Sequence, residues 1–278
     1  MTKWGFVIDI SKCNACYCCF IACKDEYWDN DYPPYTAAQP RYGQAWMNIA
    51  RNERGKHPYV KVAYMPVPCM HCEDAPCIKV ARDGAIYKRP DGIVVIDPQK
   101  AAGQKQLVKS CPYAAIFWNE EKNLPQKCTF CVHRLEEGGI PRCVQACPTE
   151  CIHFGDLDNP ETDVSKLLKS AKAEVFHSEW NTKPCVYYID LHKMTRYFIA
   201  GAVLFKDTDE CAEGVTATLT ADGKLAKTTT NNYGNFEFDG LDAGKCRLKL
   251  ECAGYAPKTI TVDLKTDSYL GDIVLAKA

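Results

Sequence analysis

From about residue 197 onward, apolar and polar residues alternate. Phe236 and Phe238 flank Glu237; Cys246, Leu248, Leu250 and Cys252 interleave with Arg247, Lys249 and Glu251; Ile260, Val262 and Leu264 interleave with Thr261 and Asp263. Successive side chains of a strand point to opposite faces, so this period of two marks half-buried strands. Turn signals at Asp222-Gly223, Asn231-Asn232-Tyr233-Gly234, Asp242-Ala243-Gly244 and Gly254 separate roughly seven of them, which predicts a small β-sandwich over residues 196–278. The alternation sets Cys246 and Cys252 on the core face, where free cysteine packs as a small hydrophobe. Before this region the rhythm is absent. Phe6-Val7-Ile8-Asp9-Ile10 predicts one strand and residues 164–171 a short helix, while Pro and Gly break the remainder into short pieces. The pattern divides the chain into 1–195, with a connecting segment at 156–195, and 196–278.

What organises the first part is cysteine. The chain holds 18 in 278 residues, most of them between Cys13 and Cys151 in close groups, which points to metal ligation rather than a disulfide net. Cys13, Cys16, Cys19 and Cys23 form C-x2-C-x2-C-x3-C, the spacing of a ferredoxin-type run. A second group, Cys69, Cys72 and Cys77, lacks its fourth member because Ala81 stands there. A third is reduced to Cys111-Pro112, with Ala101, Gln104 and Leu107 at the three earlier ligand positions. The fourth is Cys128, Cys131, Cys143 and Cys147-Pro148, with a long insertion before Cys143.

In such runs the first three cysteines hold one cluster and the fourth holds its neighbour's. Runs one and four then exchange ligands, giving Cys13, Cys16, Cys19 with Cys147, and Cys128, Cys131, Cys143 with Cys23. Runs two and three leave one complete set, Cys69, Cys72, Cys77 with Cys111, and one site that has lost Ala81, Ala101, Gln104 and Leu107 together. Three 4Fe-4S clusters are expected. Zinc, the alternative for paired cysteines, has no use for a three-cysteine run ending in C-x3-C-P. Cys18 competes with Cys19, but only Cys19 keeps the spacing, and Cys151 reads as a buried thiol.

Charge and composition narrow the picture further. A formal charge of -1 gives no reason to expect a nucleic-acid partner, and the absence of G-x-G-x-x-G or a phosphate loop removes the signal for a nucleotide. Oxidised clusters with four thiolates each are anionic, and Lys12, Lys24, Lys109, Lys127, Arg134 and Arg142 lie near ligands in sequence, either to temper that charge or as a solvated face. The longest apolar run, residues 197–205, is half of a membrane span. Cys13 follows the first strand too closely to leave room for a signal peptide, so a cytoplasmic location is expected, or export alongside a signal-bearing partner. The stretch 27–46, rich in Tyr, Trp and Pro, either packs over clusters or anchors another subunit. His71, His133 and His153 sit beside ligands as hydrogen-bond donors or packing groups. No acid-base pair or nucleophile constellation is visible, so no catalytic residue is assigned.

The four-run layout, the C-x2-C-x11-C-x3-C-P fourth run and the following Phe154-Gly155-Asp156-Leu157 resemble the iron-sulfur subunits of the dimethyl-sulfoxide-reductase family of molybdopterin oxidoreductases. The lost cluster, Trp46-Met47-Asn48-Ile49 with Glu53-Arg54-Gly55, and the appended sandwich are similar to the branch of that family whose members transfer hydroxyl groups between phenols. The resemblance implies an α+β chain, a ferredoxin-like multi-cluster domain followed by an immunoglobulin-like or transthyretin-like sandwich. It further implies a large partner subunit, in a heterodimer, that holds molybdopterin with Mo or W and does the chemistry on phenolic substrates by hydroxyl transfer, hydroxylation or dehydroxylation. This chain would be the non-catalytic, electron-transfer subunit of an anaerobic system. The alternatives are a free soluble polyferredoxin, the electron-transfer subunit of another molybdopterin reductase, or a structural adaptor.

Overall fold

The computed structural model describes residues 2–278. It separates into two compact units, one running to Arg51 and resuming over Tyr64–Leu191, the other made of Asn52–Ala63 with His192–Ala278. Among the described residues no helix is long and apolar enough to cross a membrane.

The first unit is built on a four-stranded sheet. Its central strand, Trp4–Asp9, pairs antiparallel with Ile152–Asp156 and parallel with Val186–Ile189, which in turn pairs with Ala173–Glu174. Being covered on both faces, the central strand reads as an apolar run, and Phe6, Val7 and Ile8 are fully buried. A Cβ on Gly5 would lie 2.5 Å from the Cys185 carbonyl oxygen, so the strand passes there only as glycine. One face carries an aromatic cluster in which Phe6 meets Phe130 at 4.7 Å and Phe154 at 5.1 Å between ring centroids. Such edge-to-face pairs each contribute about 0.5–1.5 kcal/mol beyond their burial. The helix Asp163–Ser170, expected over 164–171, is capped by the Thr162 hydroxyl and packs Val164 against Gly155. Everything else in this unit is short: helices Cys18–Tyr27, Pro76–Val80, Val132–Glu136 and Arg142–Gln145, and two small hairpins. These pieces bring the cysteines together.

The second unit is a sandwich of seven strands in two sheets. Tyr197–Phe205 lies between Asn235–Leu241 and Ser268–Leu275, antiparallel to the first and parallel to the second. The facing sheet runs Lys224–Thr229, Thr216–Ala221, Gly244–Glu251, Lys258–Leu264, antiparallel throughout. Cys246, Leu248 and Leu250 point into the shared core with Phe236, Phe238, Val262 and Leu264, as the alternation requires, while Cys252 is half-buried at its margin. Gly234, with φ +72°, carries the turn over Val203, whose carbonyl oxygen sits 2.3 Å from where a Cβ would be.

The segment Asn52–Ala63 is joined to this sandwich by an ionic network. Arg54, 5% exposed, forks onto Asp239 at 2.9 and 3.1 Å and donates to the Arg196 carbonyl at 3.0 Å. Lys61 reaches Asp239 at 3.0 Å and also pairs with Glu237, which accepts from the Tyr59 hydroxyl. Both cations lie over the Phe198 ring. Burial alone would push the Asp239 carboxyl up, but hydrogen bonds from Arg54, Lys61 and the Gly240 N–H hold it down to about 2. Its folded value lies below the ordinary one, so its contribution is complete above pH ~4 and is lost as pH falls toward 2, a loss of about 2 kcal/mol. Asp239→Ala should lower the stability of this unit by about 3 kcal/mol, since it leaves Arg54 buried without its counter-charge. Denaturant unfolding between pH 2 and 7 should show the wild type losing stability below pH ~4 and the variant doing so less steeply.

Candidate functional site

The cysteine loops share an unusual backbone. Ala15, Tyr17, His71, Ala114, Phe130 and Cys131 all have φ between +42° and +61° with no glycine among them. Left-handed residues of this kind cost energy and persist where surroundings over-determine them. Here they curl each loop inward, and amide hydrogens turn onto sulfur: Ala115 N–H to Cys111 Sγ at 3.5 Å, Phe130 N–H to Cys128 Sγ at 3.4 Å, Arg142 N–H to Cys131 Sγ at 3.5 Å.

The sulfurs fall into three groups, visible in how they press on one another. Burial, then the Cys147, Cys13 and Cys16 sulfurs, push the Cys19 thiol up to about 12. Burial, then Cys131, Cys23 and Cys128, raise Cys143, and burial with Cys128 and Cys131 raises Cys23. Burial, then Cys69, raise Cys72 to about 12 and Cys77 to about 11, with Cys111 adding to both. The groups also touch in series. Cys19 presses on Cys23 and Cys143, and Cys69 presses on Cys128. Members of the Cys23, Cys128, Cys131 and Cys143 group therefore lie near members of both other groups. The group of Cys13, Cys16, Cys19 and Cys147 is the most open, with Cys16 exposed and Cys13 and Cys147 half-buried.

Two other thiols border that open group. Cys18 is half-buried beside Cys16, with its thiol directed to the Cys16 carbonyl at 3.9 Å, whereas Cys19 is buried. Cys151, buried as expected, does more than pack. Its sulfur lies 3.5 Å from Cys147 Sγ, and its hydrogen bond to Cys13 holds the Cys13 thiol down to about 6. Only its spacing of four residues from Cys147 marked it in the sequence.

Cys69, Cys72, Cys77 and Cys111 line one cavity. His71 and Lys127 line it too. The Lys127 ammonium, 2% exposed, donates to the Val94 carbonyl and to the Cys128 carbonyl at 3.0 Å, so one buried cation serves two thiol groups. The Val94 N–H donates to His71 Nδ1 at 3.1 Å, which leaves the His71 proton on Nε2. That nitrogen is buried and has no partner among the described residues. A buried donor left unmade costs about 1–3 kcal/mol. Among the described residues no three His, Cys, Asp or Glu side chains close on a point suited to a single ion. Four thiols around one cavity, a buried cation, inward amides and an unspent N–H fit the donor set of an anionic iron-sulfur cluster.

At the positions of the lost fourth site the chain is packed. Ala101 and Leu107 are fully buried, and the Gln104 amide accepts from the Arg82 N–H at 3.1 Å and donates to the Lys100 carbonyl at 2.9 Å. Side-chain packing and an amide bridge join segments there. Of the other cations, Arg134 and Arg142 pair with Glu26, which also binds His133 Nε2 at 2.9 Å. Lys24 donates to the Gln39 side chain and to the Pro40 and Gln44 carbonyls. Lys12 and Lys109 are exposed. The aromatic stretch divides its roles: Tyr27 and Trp46 are buried against each other, Tyr32 stacks on His133, and Trp28 and Tyr42 stay exposed beneath Arg41. His153 is half-buried on the strand Ile152–Asp156.

Comparison with known proteins agrees with this chemistry. The 4Fe-4S dicluster domain family matches residues 60–157, and the carboxypeptidase regulatory-like domain family matches residues 199–276. The chain is 40% identical over 272 residues to the pyrogallol hydroxytransferase small subunit of Pelobacter acidigallici, covering 96% of this chain and 97% of that one. It is 35% identical to a putative dimethyl sulfoxide reductase iron-sulfur subunit of Halobacterium salinarum, over 68% of this chain and 80% of that protein. To the arsenate respiratory reductase iron-sulfur subunit of a Shewanella species it is 32% identical, over 67% of this chain and 96% of the relative. With thiol groups of this composition and relatives of this extent, the chain belongs to the iron-sulfur, electron-transfer subunits of the dimethyl-sulfoxide-reductase family of molybdopterin oxidoreductases.

Proposed function

We propose that this chain carries three 4Fe-4S clusters in series and passes or stores electrons for a large molybdopterin subunit, holding Mo or W, that acts on phenolic substrates by hydroxyl transfer. The ligand sets are Cys13, Cys16, Cys19 with Cys147; Cys23 with Cys128, Cys131, Cys143; and Cys69, Cys72, Cys77 with Cys111. The clusters supply one-electron change at iron. The chain's own residues set how easily that happens, through burial, the Lys127 charge and the amides turned onto Cys111, Cys128 and Cys131. The observation that carries the reading is the cavity lined by Cys69, Cys72, Cys77 and Cys111 with the buried Lys127 beside it; the influence of Cys19 on Cys23 and Cys143 and of Cys69 on Cys128 supports a series of three. Electrons moving between partner and solution-facing carrier then need no large protein motion. The phenolic substrate class follows from the hydroxytransferase relative, whose length this chain matches almost entirely.

The test is an anaerobic affinity pull-down of the native protein with iron, molybdenum, tungsten and zinc counted in the eluate. About twelve irons per chain, with a large Mo- or W-bearing partner, are expected from three four-iron clusters. The same iron without a partner points to a free polyferredoxin, and zinc in place of iron overturns the cluster reading.

The ligand sets are tested one by one. Cys111→Ala should remove about a third of the iron and one reduced-cluster signal in electron paramagnetic resonance; unchanged iron would show that Cys111 is no ligand. Cys18→Ala should leave the iron count intact and Cys19→Ala should not. The opposite result would exchange the two.

A further inference from the structure

His71 is held in place from three directions. Its backbone is left-handed, with φ +42°. Its Nδ1 is occupied by the Val94 N–H at 3.1 Å. Its ring lies on Phe130, 3.6 Å between centroids, and Phe130 is itself fixed by Phe6 and Phe154 of the central sheet. A side chain so restrained has no freedom to seek a partner for Nε2. The residue is fully buried, Nε2 has no acceptor among the described residues, and His71 lines the cavity of Cys69, Cys72, Cys77 and Cys111. Besides sulfur, the cavity offers the Lys127 ammonium, which can only donate, and Tyr113, whose hydroxyl is engaged with Thr182 at 2.7 Å; an anionic cluster there would supply the missing acceptor.

We propose that His71 is a positioning residue whose Nε2–H donates a hydrogen bond to a sulfur of the cluster held by Cys69, Cys72, Cys77 and Cys111, and thereby makes that cluster easier to reduce. The inference rests on the three-cluster reading above. An added electron increases negative charge on the cluster sulfurs, and a fixed donor aimed at them stabilises the reduced form more than the oxidised one. One electron arrives, no bond breaks and no proton leaves His71. The stack on Phe130, which lies between Cys128 and Cys131, places the same ring against the loop of the neighbouring group.

The experiment is a potentiometric titration of the complete protein followed by electron paramagnetic resonance, after an iron count on the wild type. A wild-type count well short of twelve irons defeats the three-cluster reading itself, before His71 is tested, and this inference with it. His71→Asn keeps an acceptor for the Val94 N–H and removes the donor at Nε2. It should shift the reduction equilibrium of one cluster, the one that Cys111→Ala deletes, about tenfold, or ~59 mV to more negative potential for a one-electron couple. The other two should stay where they are. His71→Gln, which returns an amide donor at that reach, should restore most of the shift. An unshifted cluster in His71→Asn, or an equal shift in all three, overturns the proposal. Should neither variant keep its iron, [15N]histidine labelling of the wild type decides: a weak nitrogen hyperfine coupling on the cluster deleted by Cys111→Ala supports the bond, and its absence there overturns it.

Discussion

Sulfurs that would each carry a negative charge are packed close together, and much of the first unit answers to that constraint. Burial and mutual repulsion drive thiols such as Cys19, Cys72 and Cys128 far from their ordinary ionisation. Ligation as thiolate reverses this only if positive charge and hydrogen bonds arrive with the metal, since taking several like charges out of water has no other compensation. The protein's share of that compensation is specific. One buried lysine, hydrogen-bonded to the Val94 and Cys128 carbonyls, lines the Cys69 cavity, backbone amides are turned onto three sulfurs, and the Nε2–H of His71, which lines the same cavity, is left unspent.

The scaffold serves the same end with little regular structure. A single buried strand, Trp4–Asp9, orders the sheet, and its aromatic face grips Phe130, so the loop of Cys128 and Cys131 is set by conventional packing as well as by its cysteines. Where ligands are missing, packing takes over. Leu107 and Ala101 are buried, and Gln104 ties its segment to residue 82, which holds two cysteine-bearing stretches in register. The contrast shows what ligation replaces: one amide bridge and three apolar residues, Ala81, Ala101 and Leu107, stand where four thiols would have stood.

The sandwich follows different physics. Its core is an ordinary apolar one, and each fully buried Leu, Val, Ile or Phe contributes about 1.5–3 kcal/mol. The added segment Asn52–Ala63 is joined by charge instead, through Arg54 and Lys61 on Asp239 and Glu237. Arg54 is nearly inaccessible, so its pairing with Asp239 is a requirement rather than a surplus: without Asp239 the guanidinium would be a stranded charge.

Much of this was written in the chain's spacing. Local period marked the strands Asn235–Leu241, Gly244–Glu251 and Lys258–Leu264 and the core position of Cys246, because side-chain alternation is a property of the extended backbone, and turn signals supplied the count of about seven. The cysteine intervals predicted which thiols would gather as ligand sets, because ligand geometry dictates loop length. Three things were decided only in three dimensions. The segment Asn52–Ala63 carries no alternation that would assign it to the sandwich, and its place depends on an ion pair between residues 185 positions apart. Cys151 looked inert until folding set its thiol against Cys13 and Cys147. His71 stood in a cysteine motif from the start, yet which of its nitrogens is engaged depends on the Val94 amide of a separate hairpin. Spacing records what neighbours along the chain can reach, whereas the direction of a single N–H is set by whatever the rest of the fold presses against it.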